Sequence, residues 1–366
     1  FQAVNRVYLH AFVGLIMTYR HLPDIRNTPF LPGPPFNYYL QTPRADSIAI
    51  TVMVSIKKII TFIIACLLVF YFVPLIVEGL KPTTERLRAG QTGLSTVPIL
   101  NYSTAYRTRG EGRAVILIHG FSQSTLSWEA NIDALARAGF RVYAIDLLGH
   151  GMSDKPYGIR YSLDLYARQV REFMKVMGIR RAHLAGHSMG GAVALKVACL
   201  YPSMTHSLVL IGSAGLHHEH NGNLAFRLMR YPLLGEFLIL FNFKPVVRLV
   251  NSAINTNGLI AVSDDYINRY IMPSRTRGYT YAFLRILRNF GTPPWEVEDC
   301  IADIHTAALI LHGTGDRLVP AAAGRRMHEL LPGSRLVMVA EGPHALMETH
   351  PSLVNREIVD FLRSRK

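Results

Sequence analysis

The sequence contains nineteen consecutive residues without a charged side chain, from Ile59 to Val77. At a helical rise of about 1.5 Å per residue they would span about 28 Å, close to the ~30 Å hydrocarbon thickness of a bilayer. A helix in the core of a soluble protein rarely lacks a polar stripe over so many turns. The run therefore predicts one membrane-spanning helix.

A cleaved signal peptide is the nearest alternative. Its apolar region normally has about 7 to 15 residues and ends at a cleavage site of small residues. Here the run is longer and continues directly into Glu78 and Gly79. We therefore expect an uncleaved signal-anchor helix over residues 53–78, followed by a tether over residues 79–97.

The charges that flank the run predict its orientation. Lys57 and Lys58 lie directly before it and would stay in the cytoplasm under the positive-inside rule. Lys81, Arg86 and Arg88 follow it and weaken this preference. The expectation is a membrane-anchored chain whose C-terminal bulk is periplasmic or extracellular.

Residues 1–52 carry no catalytic pattern. They begin with Phe1, and their apolar run, residues 11–19, is too short to span a bilayer. Met53 precedes the two lysines and the long apolar run, as at an ordinary signal-anchor start. The hypothesis is that the native protein begins at Met53 and that residues 1–52 are a non-native N-terminal extension.

Composition excludes several classes of protein. Of the 366 residues 49% are hydrophobic, which excludes an intrinsically disordered chain. The net charge of +14 suits an anionic partner, either nucleic acid or a membrane surface, but it says nothing about fold. Cys66, Cys199 and Cys300 are far apart, so neither a disulfide framework nor a cysteine zinc site is expected, and Cys199 is interpreted as a small core residue.

Beyond the tether, short apolar runs alternate with amphipathic segments of helix length. Near-continuous apolar strands between helices indicate a mostly parallel sheet with helices on both faces, so residues 98–366 are predicted to have an α/β fold. Functional groups in such sheets lie at the carboxyl ends of the strands. The predicted strands are Ala114 to Ile118, Arg141 to Ile145, Ala182 to Ala185, Leu208 to Ile211, Ala307 to Leu311 and Arg335 to Val339.

One of these strands leads into an unusual loop. After Ala185 the sequence reads Gly186-His187-Ser188-Met189-Gly190-Gly191, and a helical pattern follows. A nucleophile on a tight strand-to-helix turn needs small residues two positions before and two positions after it, because the turn leaves no room for side chains. Gly186 and Gly190 meet that need.

Ser188 is therefore the predicted nucleophile, and His187 is expected to support the turn. The backbone N–H of Met189, at the start of the helix, can face a developing oxyanion. A second donor should come from the loop after the strand Ala114 to Ile118, where the backbone N–H of Phe121 is the candidate.

These patterns resemble the α/β-hydrolase superfamily, and so does the segment Asp146 to Asp154 after the next strand. The resemblance implies a catalytic triad in the order nucleophile, acid, histidine, with the acid after a late strand and the histidine after the last one. Asp316 and His344 stand at those places. Haloalkane dehalogenases and epoxide hydrolases resemble the sequence elsewhere, but they carry an Asp nucleophile where this chain has Ser188.

Between the predicted strands Leu208 to Ile211 and Ala307 to Leu311, the sixth and seventh strands of the expected fold, the chain is about 60 residues longer than a crossover needs. The surplus predicts a helical cap over the site, about residues 214–297. Its apolar residues are expected to hold an acyl chain, although any one of them could instead pack the cap onto the core. The candidate substrate-binding residues are Phe226, Met229, Leu233 and Phe237.

The expected activity is serine hydrolysis of carboxylic esters with lipid-like groups, similar to monoacylglycerol lipases and related carboxylesterases. His344 would take the proton of Ser188, and Asp316 would hold the imidazole; Asp303 is the alternative acid. Two other readings stay open. One is a carbon–carbon bond hydrolase of the meta-cleavage type, because such enzymes resemble the sequence around Ser188. The other is a noncatalytic receptor with the same fold, but the intact triad positions count against it, since such receptors often lack one of the three residues.

No cofactor and no metal is expected. The tract His217 to His220 matches no common metal-ligand spacing and is interpreted as a polar loop. His119 and His312 are expected to have structural or supporting roles. The expected partners are a small-molecule or lipid ester substrate and a membrane, while nucleic acid is the least supported partner.

Overall fold

The computed structural model describes residues 45–216, 224–240, 247–248, 256–257, 263–290 and 297–365. The chain divides into two compact units, residues 1–61 and 62–366. Residues 1–44 of the predicted N-terminal extension lie outside the described residues.

Helix α1, Ala45–Leu80, contains the predicted span. Its segment Val52–Leu80 has 29 residues with a mean hydropathy of 2.9, and only 6% of its apolar window is buried. A segment of this length and composition can cross a membrane. Part of the predicted tether is folded, because helix α2, Thr84–Arg88, lies within it.

Eight strands form one sheet in the order β1-β2-β4-β3-β5-β6-β7-β8. The pairs β1/β2 and β2/β4 are antiparallel, and all other neighbours are parallel. The predicted mostly parallel α/β sheet is thus confirmed. The strands are β1 Ser95–Ile99, β2 Tyr102–Arg109, β3 Arg113–Ile118, β4 Phe140–Ile145, β5 Ala182–His187, β6 Thr205–Ile211, β7 Ala308–Gly313 and β8 Arg335–Val339.

The hairpin β1–β2 was not predicted from the sequence. Leu100 and Asn101 connect its strands, both with positive φ (52° and 67°), as in the two-residue turns that match the twist of a hairpin. Strand β1 lies at the edge of the sheet and is mostly exposed, so it lacks the continuous apolar run of the six predicted strands.

Helices cover both faces of this sheet, and the described cap helices α6 to α9 lie between β6 and β7, as predicted. Strand β3 shows why two layers are needed: Ile116 and Ile118 pack into one hydrophobic cluster, and Val115 and Leu117 into the other. The remaining helices are α3 Glu129–Arg137, α4 Leu163–Val176, α5 Met189–Leu200, α6 Leu224–Met229, α7 Leu234–Leu240, α8 Asp264–Ile271, α9 Tyr279–Asn289, α10 Ala321–Leu330, α11 Leu346–Thr349 and α12 Pro351–Arg363.

The expectation that no disulfide forms, with Cys199 as a small core residue, was wrong. Cys199, near the end of α5, forms a disulfide with Cys300, which lies between the cap and β7, and their Cα atoms are 6.0 Å apart. Cys66 in α1 is a free thiol. The sequence alone did not predict this pair, because the two residues are 101 positions apart and only the folded sheet brings them together.

Replacing both Cys199 and Cys300 with Ser should lower the thermal stability of the chain in detergent. The bridge closes a 101-residue loop and so restricts the unfolded chain. Losing it should cost about 2–4 kcal/mol, a fall in Tm of roughly 5–15 °C for a domain of this size. Cys66→Ser is the matched control, and equal Tm values for the control and the double variant would contradict a stabilising bridge.

Candidate active site

The turn between β5 and α5 has the conformation that its glycines permit. Ser188 adopts φ 53° and ψ −119°, which places it in a strained region for a residue with a side chain. A Cβ on Gly186 would overlap with the backbone of Gly190, and one on Gly190 would overlap with the carbonyl oxygen of Ile118. Glycine at both positions therefore lets strand, turn and helix approach this closely.

Hydrogen bonds to the neighbouring strand hold the turn. The Ser188 N–H donates to the carbonyl oxygen of Ile211 at the end of β6, at 3.0 Å. The Ser188 carbonyl oxygen accepts from the N–H of Ala214 at 3.0 Å. The side chain of Ser188 stays half-buried, at the N-terminus of α5, where the helix dipole favours negative charge.

The two other predicted triad residues meet at the same edge of the sheet. Asp316 follows β7 and His344 follows β8, and the His344 Nδ1–H donates to Asp316 Oδ2 at 2.8 Å. Both side chains are buried. Asp303, the alternative acid, lies in a turn before β7 begins, at the opposite end of that strand.

Asp316 is set up to stay ionised. Its Oδ1 accepts the N–H groups of Leu318 and Val319, both at 2.9 Å. Burial opposes ionisation, but the charge and hydrogen bond of His344 and the N–H of Val319 outweigh it and hold the pKa of the Asp316 carboxyl below its usual range.

The loop after β3 lies against the turn. The position that a Cβ would take on Gly120 is 3.1 Å from the Cβ of Ser188. Among the described residues, neither the N–H of Phe121 nor that of Met189 donates to another group of the chain. Both predicted oxyanion donors lie on segments next to Ser188, and their N–H groups are not used by these described residues.

His187 connects the two loops beside Ser188. Its Nδ1 lies 2.8 Å from Gln123 Oε1, which also accepts the Gly120 N–H at 3.0 Å. Its Nε2 lies 3.1 Å from the carbonyl oxygen of His344. Burial, followed by the neighbouring His344, holds the pKa of His187 well below its usual value, so the ring is neutral. Gln123 was not singled out from the sequence, since it has no distinctive spacing.

His119 and His312 have the supporting contacts expected of them. His119 Nδ1 donates to the Gly120 carbonyl oxygen at 2.8 Å, and its Nε2 accepts the Leu147 N–H at 3.0 Å. His312 Nε2 lies 3.0 Å from the carbonyl oxygen of Val319, in the loop that holds Asp316.

Two tyrosines of cap helix α8 reach the loops of the site, which the sequence did not predict. The hydroxyl groups of Tyr270 and Ser122 are 3.2 Å apart, and Ser122 follows Phe121. The Tyr266 hydroxyl donates to Glu348 Oε2 at 2.7 Å, and Glu348 lies four residues after His344. Burial raises the pKa of Glu348 to about 7, although Tyr266 and His344 act in the opposite direction.

The structure does not bring the predicted substrate-binding residues to Ser188. The Phe237 ring lies against Phe70 of α1, with ring centroids 4.1 Å apart. Met229 and Leu233 are half-buried in the cap, and no described contact joins them to Ser188. The side chain of Phe226 and the tract 217–220 lie outside the described residues. Substrate binding by these residues stays a prediction.

Comparison with known proteins agrees with this architecture. A family model for the alpha/beta hydrolase fold matches residues 113–351. An uncharacterized protein of Mycobacterium tuberculosis is 31% identical over 269 residues, which are 69% of this chain and 75% of that protein.

Two further relatives have functional names. A 2-hydroxy-6-oxo-6-(2'-aminophenyl)hexa-2,4-dienoic acid hydrolase of Metapseudomonas resinovorans is 31% identical over 72% of this chain and 88% of its own length. The crystal structure of a serine hydrolase involved in carbazole degradation superposes with a TM-score of 0.63 at 28% identity, covering 74% of this chain and 98% of that one.

Replacing Gly190 with Ala should disrupt the turn, because the added methyl group would overlap with the carbonyl oxygen of Ile118. We expect a loss of stability on the order of 1–3 kcal/mol and little labelling of Ser188 by a fluorophosphonate probe. The measurements are Tm and labelling rate. In the control Gly90→Ala, the nearest atom to the added methyl is 3.8 Å away. Parental values for Gly190→Ala would rule out this account of the turn.

Glu348 should make stability depend on pH. Its folded-state pKa of about 7 lies above the usual 4.5, so between these values the folded chain holds a proton that the unfolded chain has lost. Stability therefore falls as pH rises through this range. Compared with Glu348→Gln, the parent should lose on the order of 2 kcal/mol between about pH 5 and pH 8.

This comparison uses denaturant unfolding of both chains at the two pH values. Glu329→Gln, which removes a carboxylate that is 61% exposed, is the matched control and should follow the parent. If Glu348→Gln also runs parallel to the parent, Glu348 is not protonated in the folded chain at neutral pH.

Proposed function

Because the chain belongs to the α/β-hydrolase family and is a hydrolase, we propose that it cleaves carboxylic esters with lipid-like groups through a Ser188 acyl-enzyme. The observation that carries the proposal is the 2.8 Å hydrogen bond between His344 and Asp316 at the sheet edge where Ser188 sits in its strained turn. Nucleophile, base and orienting acid are the three parts that acyl transfer by a serine requires.

The hydrogen bond assigns the role of each ring nitrogen. Since His344 Nδ1 carries the proton that it donates to Asp316, Nε2 is the acceptor for the Ser188 proton. As the Ser188 oxygen attacks the ester carbonyl, His344 takes that proton and then gives it to the leaving alcohol. Water, activated by the same nitrogen, releases the acyl group and restores Ser188. The ionised Asp316 stabilises the imidazolium in both steps.

The backbone N–H groups of Phe121 and Met189 would receive the negative charge that develops on the carbonyl oxygen. Each such donor contributes about 2.7–4 kcal/mol to lowering the barrier in known oxyanion holes. The position of Met189 at the start of α5 adds the helix dipole to this effect.

The apolar segment Val52–Leu80 supports a lipid-like substrate, because it would anchor the enzyme where such molecules concentrate. The Cys199–Cys300 disulfide supports an outward-facing catalytic domain, since disulfides persist in oxidising compartments such as the periplasm or the cell surface. We therefore place the catalytic domain outside the cytoplasm, in keeping with Lys57 and Lys58 before the span.

A second candidate is carbon–carbon bond hydrolysis. It is favoured by the relative from Metapseudomonas resinovorans, whose name describes a hydrolase of a hexadienoic acid. Such a reaction would use the same serine and histidine but a carbon leaving group in place of an alcohol.

The test measures hydrolysis of p-nitrophenyl esters with acyl chains of two to sixteen carbons, of a monoacylglycerol, and of a 2-hydroxy-6-oxo-dienoate. With the parent chain we expect kcat/KM to rise from acetyl to medium or long acyl chains. Ser188→Ala should abolish turnover, and Asp316→Asn should lower kcat by about 10⁴-fold, because the imidazole loses its correct tautomer.

One control tests the identity of the acid, and the choice of substrate separates the two candidate functions. Asp303→Asn should keep parental rates, since Asp303 lies at the other end of β7. Turnover of the dienoate alone would select carbon–carbon hydrolysis. Ester turnover equal to the Ser188→Ala background would reject the proposal, and a preference confined to acetyl would reject the lipid-like substrate.

A further inference from the structure

One face of helix α1 is covered by protein. Cys66 and Phe70 are half-buried and Pro74 and Glu78 are buried, whereas the other side chains from Phe62 to the end of the helix are exposed. The four covered residues are spaced four apart, so they form one stripe along the helix. At about 1.5 Å per residue the stripe is about 18 Å long.

The described contacts of this stripe are with the cap. Near its middle, the ring of Phe70 lies against Phe237 of α7 at 4.1 Å between centroids. At its end, the Glu78 carboxylate accepts a hydrogen bond from the Thr280 hydroxyl of α9 at 2.8 Å. The Lys81 ammonium group lies 2.6 Å from the same carboxylate and donates to the Thr280 hydroxyl at 3.1 Å.

Backbone groups strengthen this attachment. The Arg277 N–H donates to the carbonyl oxygen of Pro82 at 2.9 Å, and the Arg277 guanidinium donates to that of Gly79 at 2.9 Å. The last turn of α1 and the N-terminus of α9 therefore form one hydrogen-bonded unit. Wherever the part of α1 from Phe70 to Leu80 sits in a bilayer, the cap sits beside it.

The uncharged run sets the depth of these contacts. Glu78 is the first charged residue after Val77, so it marks the boundary between hydrocarbon and headgroups when Ile59 to Val77 span the bilayer. Thr280, which is hydrogen-bonded to Glu78, then lies at headgroup level. Phe70 lies eight residues deeper, about 12 Å along the axis, so its partner Phe237 reaches the acyl chains.

The composition of the cap fits both depths. Helix α7 is apolar except for Glu236, whose charge is paired with Arg288 at 3.0 Å. Tyr281 follows Thr280 and so lies close to headgroup level, and its ring is 4.9 Å from that of Tyr157, a residue that is 54% exposed. The Arg285 guanidinium sits over the Tyr281 ring at 5.3 Å. Tyrosine and arginine are the residues expected where protein meets lipid headgroups.

The exposed arginines of the cap favour an anionic lipid. Arg275, Arg277 and Arg285 are all exposed, and none of them forms an ion pair with a carboxylate within the described part of the chain. Each basic side chain near an anionic leaflet adds to the attraction.

We propose that the cap rests in the outer leaflet beside α1, with Tyr157, Tyr281 and Arg285 binding anionic phospholipid headgroups. We call these three residues the headgroup belt. The proposal extends the interaction with the bilayer from α1 to the cap, and it rests on the proposed anchorage of the chain by α1.

The test uses the full chain in lipid nanodiscs that contain phosphatidylcholine brominated near the headgroup. Tyr157→Trp places an indole fluorophore in the headgroup belt, and the signal of the parent chain, which has two native tryptophans, is subtracted. Val176→Trp is the matched control, because Val176 is 55% exposed but ends α4, just before the amino end of β5. We expect brominated lipid to quench the added fluorescence of Tyr157→Trp by about a third or more and that of Val176→Trp by less than about a tenth.

A second arm replaces about a third of the lipid with phosphatidylglycerol. Quenching in Tyr157→Trp should increase with the anionic lipid, and the added substitution Arg285→Gln should remove this increase. The matched control is Arg180→Gln, because Arg180 is exposed just before β5, and adding it should leave the increase unchanged. An unquenched indole in Tyr157→Trp chains that are incorporated into the discs would overturn the proposal. Equal quenching with and without phosphatidylglycerol would also overturn it. Recovery of the chain free of lipid would instead reject the proposed anchorage.

Discussion

The backbones of β3, β5 and α5 come into close contact beside Ser188, and this contact requires glycine at positions 186 and 190. At Ser188, whose φ is positive, the chain turns from β5 into α5. The absence of a Cβ at Gly186 and Gly190 allows the neighbouring backbone segments to come into contact there. Because the Ser188 N–H is also bonded to Ile211, the turn fixes β6 as well. Strand β7, which Asp316 follows, pairs with β6, and strand β8, which His344 follows, pairs with β7. The turn is thus hydrogen-bonded to the same set of parallel strands that ends at Asp316 and His344.

Strain of this kind persists only where the surroundings are themselves well fixed. Here the surroundings are hydrogen-bonded loops with buried, neutral imidazole rings. His187 reaches the carbonyl oxygen of His344 on one side and Gln123 on the other, and Gln123 in turn holds Gly120. Since burial lowers the pKa of His187 and of His119, the network needs no buried counter-charge. Asp316 and His344 form a hydrogen-bonded pair of titratable groups next to this network.

Local patterns were enough to predict the strands β3 to β8 and the turn at Ser188, because apolar runs and glycine spacing express short-range physics. The same patterns could not predict contacts between distant segments. Cys199 pairs with a residue 101 positions away, and Tyr266 reaches Glu348 only after the cap has folded back over the site. Phe237 shows the limit most clearly: its apolar side chain suggested a substrate pocket, but its described partner is Phe70 of the apolar helix.

The described attachments of the cap differ in strength. Just after its C-terminal end, Cys300 is covalently bound to Cys199 of α5, and within the cap α9 is joined to the last turn of α1 through Glu78 and Thr280. Over the site, α8 is attached by polar contacts, such as Tyr270 with Ser122 and Arg269 with Glu129, and by its buried side chains Ile267 and Ile271. A hydrogen bond contributes about 1 kcal/mol net, far less than a covalent bridge. The covalent attachment therefore lies near the C-terminal end of α5, whereas the described attachments of α8, near the N-terminus of α5 and Ser188, are noncovalent.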